Sequence, residues 1–198
     1  MPTAPATQKE PTLLGQESPT LLADMAPADP EIVEAMKNNW LSNIHYAMIG
    51  RVAAAWARFE VTVDLWLIDF ADLSTEVGIC FTGQFVGPRA RMDAFIAMVR
   101  HLGADKEWTK QLAKLANEAE AMARQRNRAV HDVWELSDAA TPLRVERTAF
   151  KTVRALAVHV PTADLQKLEL QIIDLDHRFH QMAAQVFSQC HASPGTSP

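Results

Sequence analysis

Cysteine is nearly absent from the chain. Its 198 residues hold two, Cys80 and Cys190, far apart and forming no Cys-x-x-Cys pair. That argues against a disulfide framework or a thiolate zinc site, and it leads to the expectation of a reduced, cytoplasmic protein. Neither cysteine has the local setting of a catalytic thiol. Phosphate loops are missing too: Gly83 and Gly87 flank Gln84-Phe85-Val86, with no GxGxxG and no Gly-Lys-Ser/Thr. Serine, cysteine and paired carboxylates form no recognisable hydrolase triad or glycosidase pair. No stretch approaches the about 20 apolar residues of a membrane span, and no basic region followed by an apolar run marks a signal peptide. No membrane association and no cofactor are therefore expected. Positive charge is also scarce: the net charge is −5 and the pI about 5.8. This argues against broad, nonspecific binding to nucleic acid but leaves room for a local basic patch.

Apolar residues are plentiful, at 48 %, enough for a full core. Residues 1–29 are rich in Pro, Thr and Ala and read as a disordered arm. Asp29-Pro30-Glu31 is a helix start, with a capping acid and a proline in the first turn. Trp40, Ile44, Met48, Val52, Ala55, Phe59, Val63, Trp66 and Phe70 then recur in steps of three and four, the mark of an amphipathic helix. Gly50 either divides that helix or permits close packing. Residues 74–88, with three glycines and a proline, read as a connection. Met92, Phe95, Ile96, Val99 and Leu102 give a second helix closed by Gly103. A third starts near Asp105 and carries Leu112, Leu115, Ala119, Met122 and Ala123. From 133 to 148 the period changes to two, with turn formers at 137–142, which favours a β-hairpin. The rival is a helix over 143–157, which would put Arg144, Arg147, Lys151 and Arg154 on one face. Pro161-Thr162-Ala163-Asp164 opens the last helix. Its seam of Leu165, Leu168, Ile172, Leu175, Phe179, Met182 and Val186 suits a bundle or a coiled coil. The expected fold is all-α: an up-and-down bundle of four or five helices over residues 30–191, with a small β-hairpin or irregular insertion before the last helix. Residues 192–198 form a flexible tail.

The run Arg126-Asn127-Arg128-Ala129-Val130-His131, followed by Asp132 and Trp134, ends the third helix. Arginine holds phosphate with a planar fork of donors, and histidine moves protons near neutral pH. Between Arg124 and Arg154 lie seven basic and four acidic residues, a local charge of +3 against −8 for the remainder. Asn127 and His131 are four apart and share a helical face. Arg126 and His131 are five apart, about 140° round the axis. An undistorted helix would not aim both at one phosphate, so either the helix unwinds near His131 or a second copy supplies a partner group.

Arg-Asn-x-x-x-His late in the third helix of a bundle resembles the HEPN superfamily. The likeness extends loosely over residues 31–190 and includes the run Ala55-Trp56-Ala57-Arg58-Phe59-Glu60 in the first helix. It implies a metal-independent endoribonuclease of toxin–antitoxin, defence or RNA-processing type, acting as a homodimer with paired motifs. His131 would be the general base or acid, Arg126 would stabilise the charge of the transition state, and Asn127 would orient either group. The products would be a 2′,3′-cyclic phosphate and a free 5′-hydroxyl. Arg124, Arg128 and Trp134 are the expected contacts to RNA, and an antitoxin or the product of a neighbouring gene is a further expected partner. Some domains of this kind are non-catalytic dimerising or nucleotide-handling modules. In that reading Arg126 pairs with Glu60 or another acid to lock two helices, and His131 caps helix carbonyls. The last seam and the first helix are both apolar enough to form a dimer interface.

Other features carry less. His177 and His180, with Asp174 and Asp176, lack the converging ligands of a metal site and read as solvated. His45, His101, His159 and His191 have no partner pattern. Trp40, Trp56 and Trp66 have core spacing.

Overall fold

A computed structural model of the chain describes residues 41–137, 141–148 and 154–191. The expected arm over 1–29, the helix start at Asp29-Pro30-Glu31, Trp40 and the tail 192–198 lie outside those residues. Among the described residues there are five helices: α1 Asn43–Phe70, α2 Thr75–Thr82, α3 Gly87–His101, α4 Lys106–His131 and α5 Thr162–His191. Three strands, β1 Val133–Leu136, β2 Pro142–Thr148 and β3 Arg154–His159, stand between α4 and α5. No described helix is long and apolar enough to cross a membrane.

Helix α1 starts at the cap residue Ser42, whose hydroxyl accepts the His45 N–H. It stops where Asp72 turns left-handed at φ 51°, a conformation that aspartate tolerates better than most residues. Its buried stripe is Val52, Trp56, Phe59, Val63, Leu67 and Phe70. Ile44, placed on that stripe by spacing, is 66 % exposed, because the core ends short of the helix start. Gly50 neither breaks α1 nor admits a neighbour: no atom lies within 4 Å of where its Cβ would be. The segment expected to be a plain connection contains α2. Gly78 makes that helix possible, since a Cβ there would stand 2.4 Å from the side chain of Ile68 on α1.

The α5 seam is buried inside the protomer, with Ile172, Leu175, Phe179 and Val186 fully covered. It is core and is not free to serve as a dimer interface. Edge-on ring contacts join α1, α3 and α5: Phe59–Phe179 at 6.0 Å, Phe95–Phe179 at 5.0 Å and Phe70–Phe95 at 5.2 Å. Each such pair adds about 0.5–1.5 kcal/mol beyond area burial. Two ion pairs fix the register of α1 on α5: Arg51–Glu169 at 2.9 Å and Arg58–Asp176 at 3.2 Å. Both partners advance by seven, so the two helices run in the same direction. The carboxylates are buried and the guanidinium groups exposed. Such pairs add little net stability, but removing the arginine strands a buried charge.

The sheet is an antiparallel meander, β1-β2-β3. The expected hairpin is present: Trp134 faces Arg144 across β1 and β2. The rival helix over 143–157 is overturned, because Arg144 pairs with Val158 and Thr148 with Arg154 across β2 and β3. The third strand was not anticipated. Trp134, Arg144 and Val158 share one face, and both Trp134 and Val158 pack on the helical core.

The two glycines predict opposite outcomes in thermal denaturation. Gly50→Ala should raise stability by about 0.5–1 kcal/mol, as expected in an open helix interior. Gly78→Ala should lower it by about 1–3 kcal/mol, through overpacking against Ile68.

Candidate functional site

Helix α4 is the element that carries the motif. Asp105 caps its start by accepting the Glu107 N–H at 2.8 Å. Leu112, Leu115, Ala116, Ala119 and Ala123 form its buried side. The helix stays regular to its last residue, His131, with the Asp132 N–H donating to the Arg128 carbonyl at 3.1 Å. Carbonyls in the last turn of a helix lack helical partners. Here the Trp134 indole N–H satisfies one of them, donating to the Ala129 carbonyl at 3.0 Å.

Arg126, Asn127 and His131 come together within one chain. The Arg126 Nη1 donates to Asn127 Oδ1 at 2.9 Å and stands 3.4 Å from His131 Nε2. Arginine has only donors, so this contact is a hydrogen bond only when Nε2 is unprotonated. The expectation that a regular helix would hold the two apart is therefore corrected. The angular separation is as calculated, but the long arginine side chain curls across it. Arg126 is half-buried, His131 and Asn127 are exposed, and the Arg126 Nε is buried without a hydrogen-bond partner. The suggested Arg126–Glu60 lock does not form. Glu60 instead meets Arg91 at 3.5 Å, and Arg91 also holds Asp64 at 2.9 Å.

A second polar group ties α4 to the sheet. Arg128 donates to Glu146 at 2.7 Å, Arg144 also bonds Glu146, and Arg144 faces Asp132 at 3.5 Å. The hydrogen bond from Arg144, assisted by the charge of Arg128, holds the Glu146 carboxyl below its ordinary value of 4.5.

Arg124 and Arg128 point to a different place from the motif. They line a groove of about 740 Å³ between α4, the sheet and the start of α5. Gln125, Arg144, His159, Asp164, Lys167 and Gln171 also line it, whereas Arg126, Asn127, His131 and Trp134 do not. The predicted site residues thus divide between the groove and the motif contact, with His131 following Arg124 and Arg128 on one helical stripe. Local sequence gave no sign of His159 and Lys167, which reach the groove only through the β3–α5 connection. Arg144 was visible as part of the basic segment, though not its place opposite Trp134.

Four of the remaining candidates have structural partners. His180 Nδ1 accepts the Trp66 indole N–H at 3.2 Å, Asp176 pairs with Arg58, and Asp174 with Arg178 at 2.7 Å. His45 bonds Ser42 at 2.9 Å and lies 6.4 Å from the Trp134 ring. Among the described residues no group of three or more His, Cys, Asp or Glu is arranged to hold a metal ion. Comparison with protein-family models, with curated proteins and with solved structures gives no significant match.

A carboxylate with a depressed folded-state value stabilises the fold above its unfolded value, and that contribution is lost as pH falls through the folded value. As pH falls from 7 to about 2.5, wild type should therefore lose more melting temperature than Glu146→Gln, with the difference opening below the ordinary value of 4.5. An equal loss in both would show that Glu146 does not couple the sheet to α4.

Proposed function

We propose that this chain is an RNA-cleaving protein of the HEPN kind, with Arg126, Asn127 and His131 as its reacting group. The observation that carries this reading is the 3.4 Å approach of Arg126 Nη1 to an exposed His131 Nε2. In the reaction, Arg126 turns from Nε2 to the incoming phosphate, which frees the Nε2 lone pair to take the proton of a ribose 2′-hydroxyl. The oxygen attacks the adjacent phosphorus, the bond to the 5′-oxygen breaks, that oxygen leaves with a proton from solvent water, and the protonated Nε2 returns its proton to solvent. Arg126 offers its donors to the non-bridging phosphate oxygens, where negative charge builds up. Asn127 fixes the guanidinium from the other side. Acid–base help of this sort is worth about 10²–10⁴ in rate, and charge stabilisation about 10²–10³. Because both groups come from one protomer, the arginine–histidine pair needs no second copy. A homodimer would double the site, and an antitoxin or neighbouring-gene product would restrain it. The setting is toxin–antitoxin, defence or RNA processing, in the cytoplasm.

Purified protein should cleave RNA in EDTA. His131→Ala and Arg126→Ala should each lower the rate by at least about 10²-fold with unchanged thermal denaturation. Full activity in a folded His131→Ala protein would remove the motif from the chemistry.

One observation favours a second reading, a non-catalytic homodimerisation module. Helix α2 exposes apolar side chains, Val77, Ile79 and Phe81, each between 45 % and 61 % exposed. Exposed Val61 and Leu65 of α1 share the helical stripe of Ile68, over which Gly78 packs. In this reading the wild type is dimeric by light scattering, Phe81→Glu is monomeric, and no RNA is cleaved.

A further inference from the structure

We infer that the groove between α4, the sheet and α5 is a track for the phosphodiester backbone of single-stranded RNA, leading to His131 around the end of α4. The inference rests on the ribonuclease reading for its substrate, but the track is a separate site, one to two turns before His131 on α4. Four permanent cations line it: Arg124, Arg128, Arg144 and Lys167. His159 is a fifth polar group with a donor, and Asp164 is the one acid in the lining. Gln125 and Gln171 add amides able to donate to phosphate or to bases. The 30-residue helix α5 also begins here, with Asp164 and Leu165 of its first turns in the wall. Its N-terminal dipole adds to the positive field.

The acids that accompany the arginines lie outside the lining. Arg124 meets Glu120 at 3.1 Å, and both side chains are largely exposed. Pairs of this kind contribute little and exchange readily for another anion. Arg128 and Arg144 share Glu146, which positions both guanidinium groups. Lys167 is exposed and makes no ion pair among the described residues. It is the cation most available to a ligand. Arg124 and Arg128 are one helical turn apart, and His131 lies three residues beyond Arg128, a surface neighbour on the same helix. A strand held along the arginines therefore emerges beside the histidine. The net charge of −5 keeps binding elsewhere on the protein weak, so these few cations decide where RNA sits.

The test is fluorescence anisotropy with a 2′-O-methyl RNA 12-mer, which cannot be cleaved, at several salt concentrations. Proteins are the wild type, Lys167→Ala, Arg124→Ala, the double variant and, as a control, Lys110→Ala. For single strands the slope of log K against log salt is about −0.7 per phosphate neutralised. Each groove substitution should weaken binding and flatten the slope by about 0.7, the double variant by about 1.4. Lys110→Ala, at a surface pair with Glu107 away from the groove, should bind as wild type does. Unchanged affinity and slope in the folded double variant overturns the track. Failure of the ribonuclease reading looks different: groove-dependent binding persists while unmodified RNA stays intact. A duplex of the same sequence binding as tightly as the single strand would also contradict the track.

Discussion

The last turn of α4 depends on its attachment to the sheet. A helix terminus frays unless its free carbonyls are met and its flanking chain is held. His131 is the final helical residue, so any fraying would separate it from Arg126. Two contacts prevent this. The Trp134 indole bonds the Ala129 carbonyl, and the Arg128–Glu146–Arg144 group, with Asp132 beside it, fastens the outer face of the turn to β2. The small sheet thus does more than link two helices. It fixes the end of the helix on which the motif stands, and Arg144 and Val158 of its inward face also make one wall of the basic groove.

The rest of the bundle leaves α4 free to present two polar sides. Helix α4 meets the core mostly through alanines and two leucines, a narrow apolar side on a highly charged helix. The aromatic burial is carried elsewhere, by Phe59, Phe95 and Phe179 on α1, α3 and α5. Parallel packing of α1 on α5, set by Arg51–Glu169 and Arg58–Asp176, supplies the rigid body against which α4 rests. Half-burial of Arg126 follows from this arrangement: its stem lies toward the core while its terminal nitrogens reach the surface beside Asn127 and His131.

Much of this was legible in the residues themselves. The α5 seam and the α1 stripe from Val52 to Phe70 have regular spacing because a buried helical face requires it. The alternation at Val133–Leu136 and Leu143–Glu146 likewise announced paired strands. Three features were not legible. Helix α2 hides in a glycine-rich stretch, because Gly78 is there for close approach to Ile68 and not for a turn. Strand β3 has alanines and an exposed leucine, Leu156, where a half-buried strand would show clear alternation. Helical angle alone does not show the convergence of Arg126 with His131, which depends on the reach of an arginine side chain. Motif spacing marked the proposed reacting groups, whereas the groove depends on a strand connection that brings Lys167 and His159 to Arg124 and Arg128. Such non-local neighbours leave no periodic mark.

The most direct test of the central claim is mass spectrometry of the ends of RNA fragments produced by the wild-type protein. Attack by the 2′-oxygen, with Arg126 and His131 acting on one phosphate, predicts a 2′,3′-cyclic phosphate on one fragment and a 5′-hydroxyl on the other. Fragments bearing a 5′-phosphate, or intact RNA after incubation with folded protein, would contradict it.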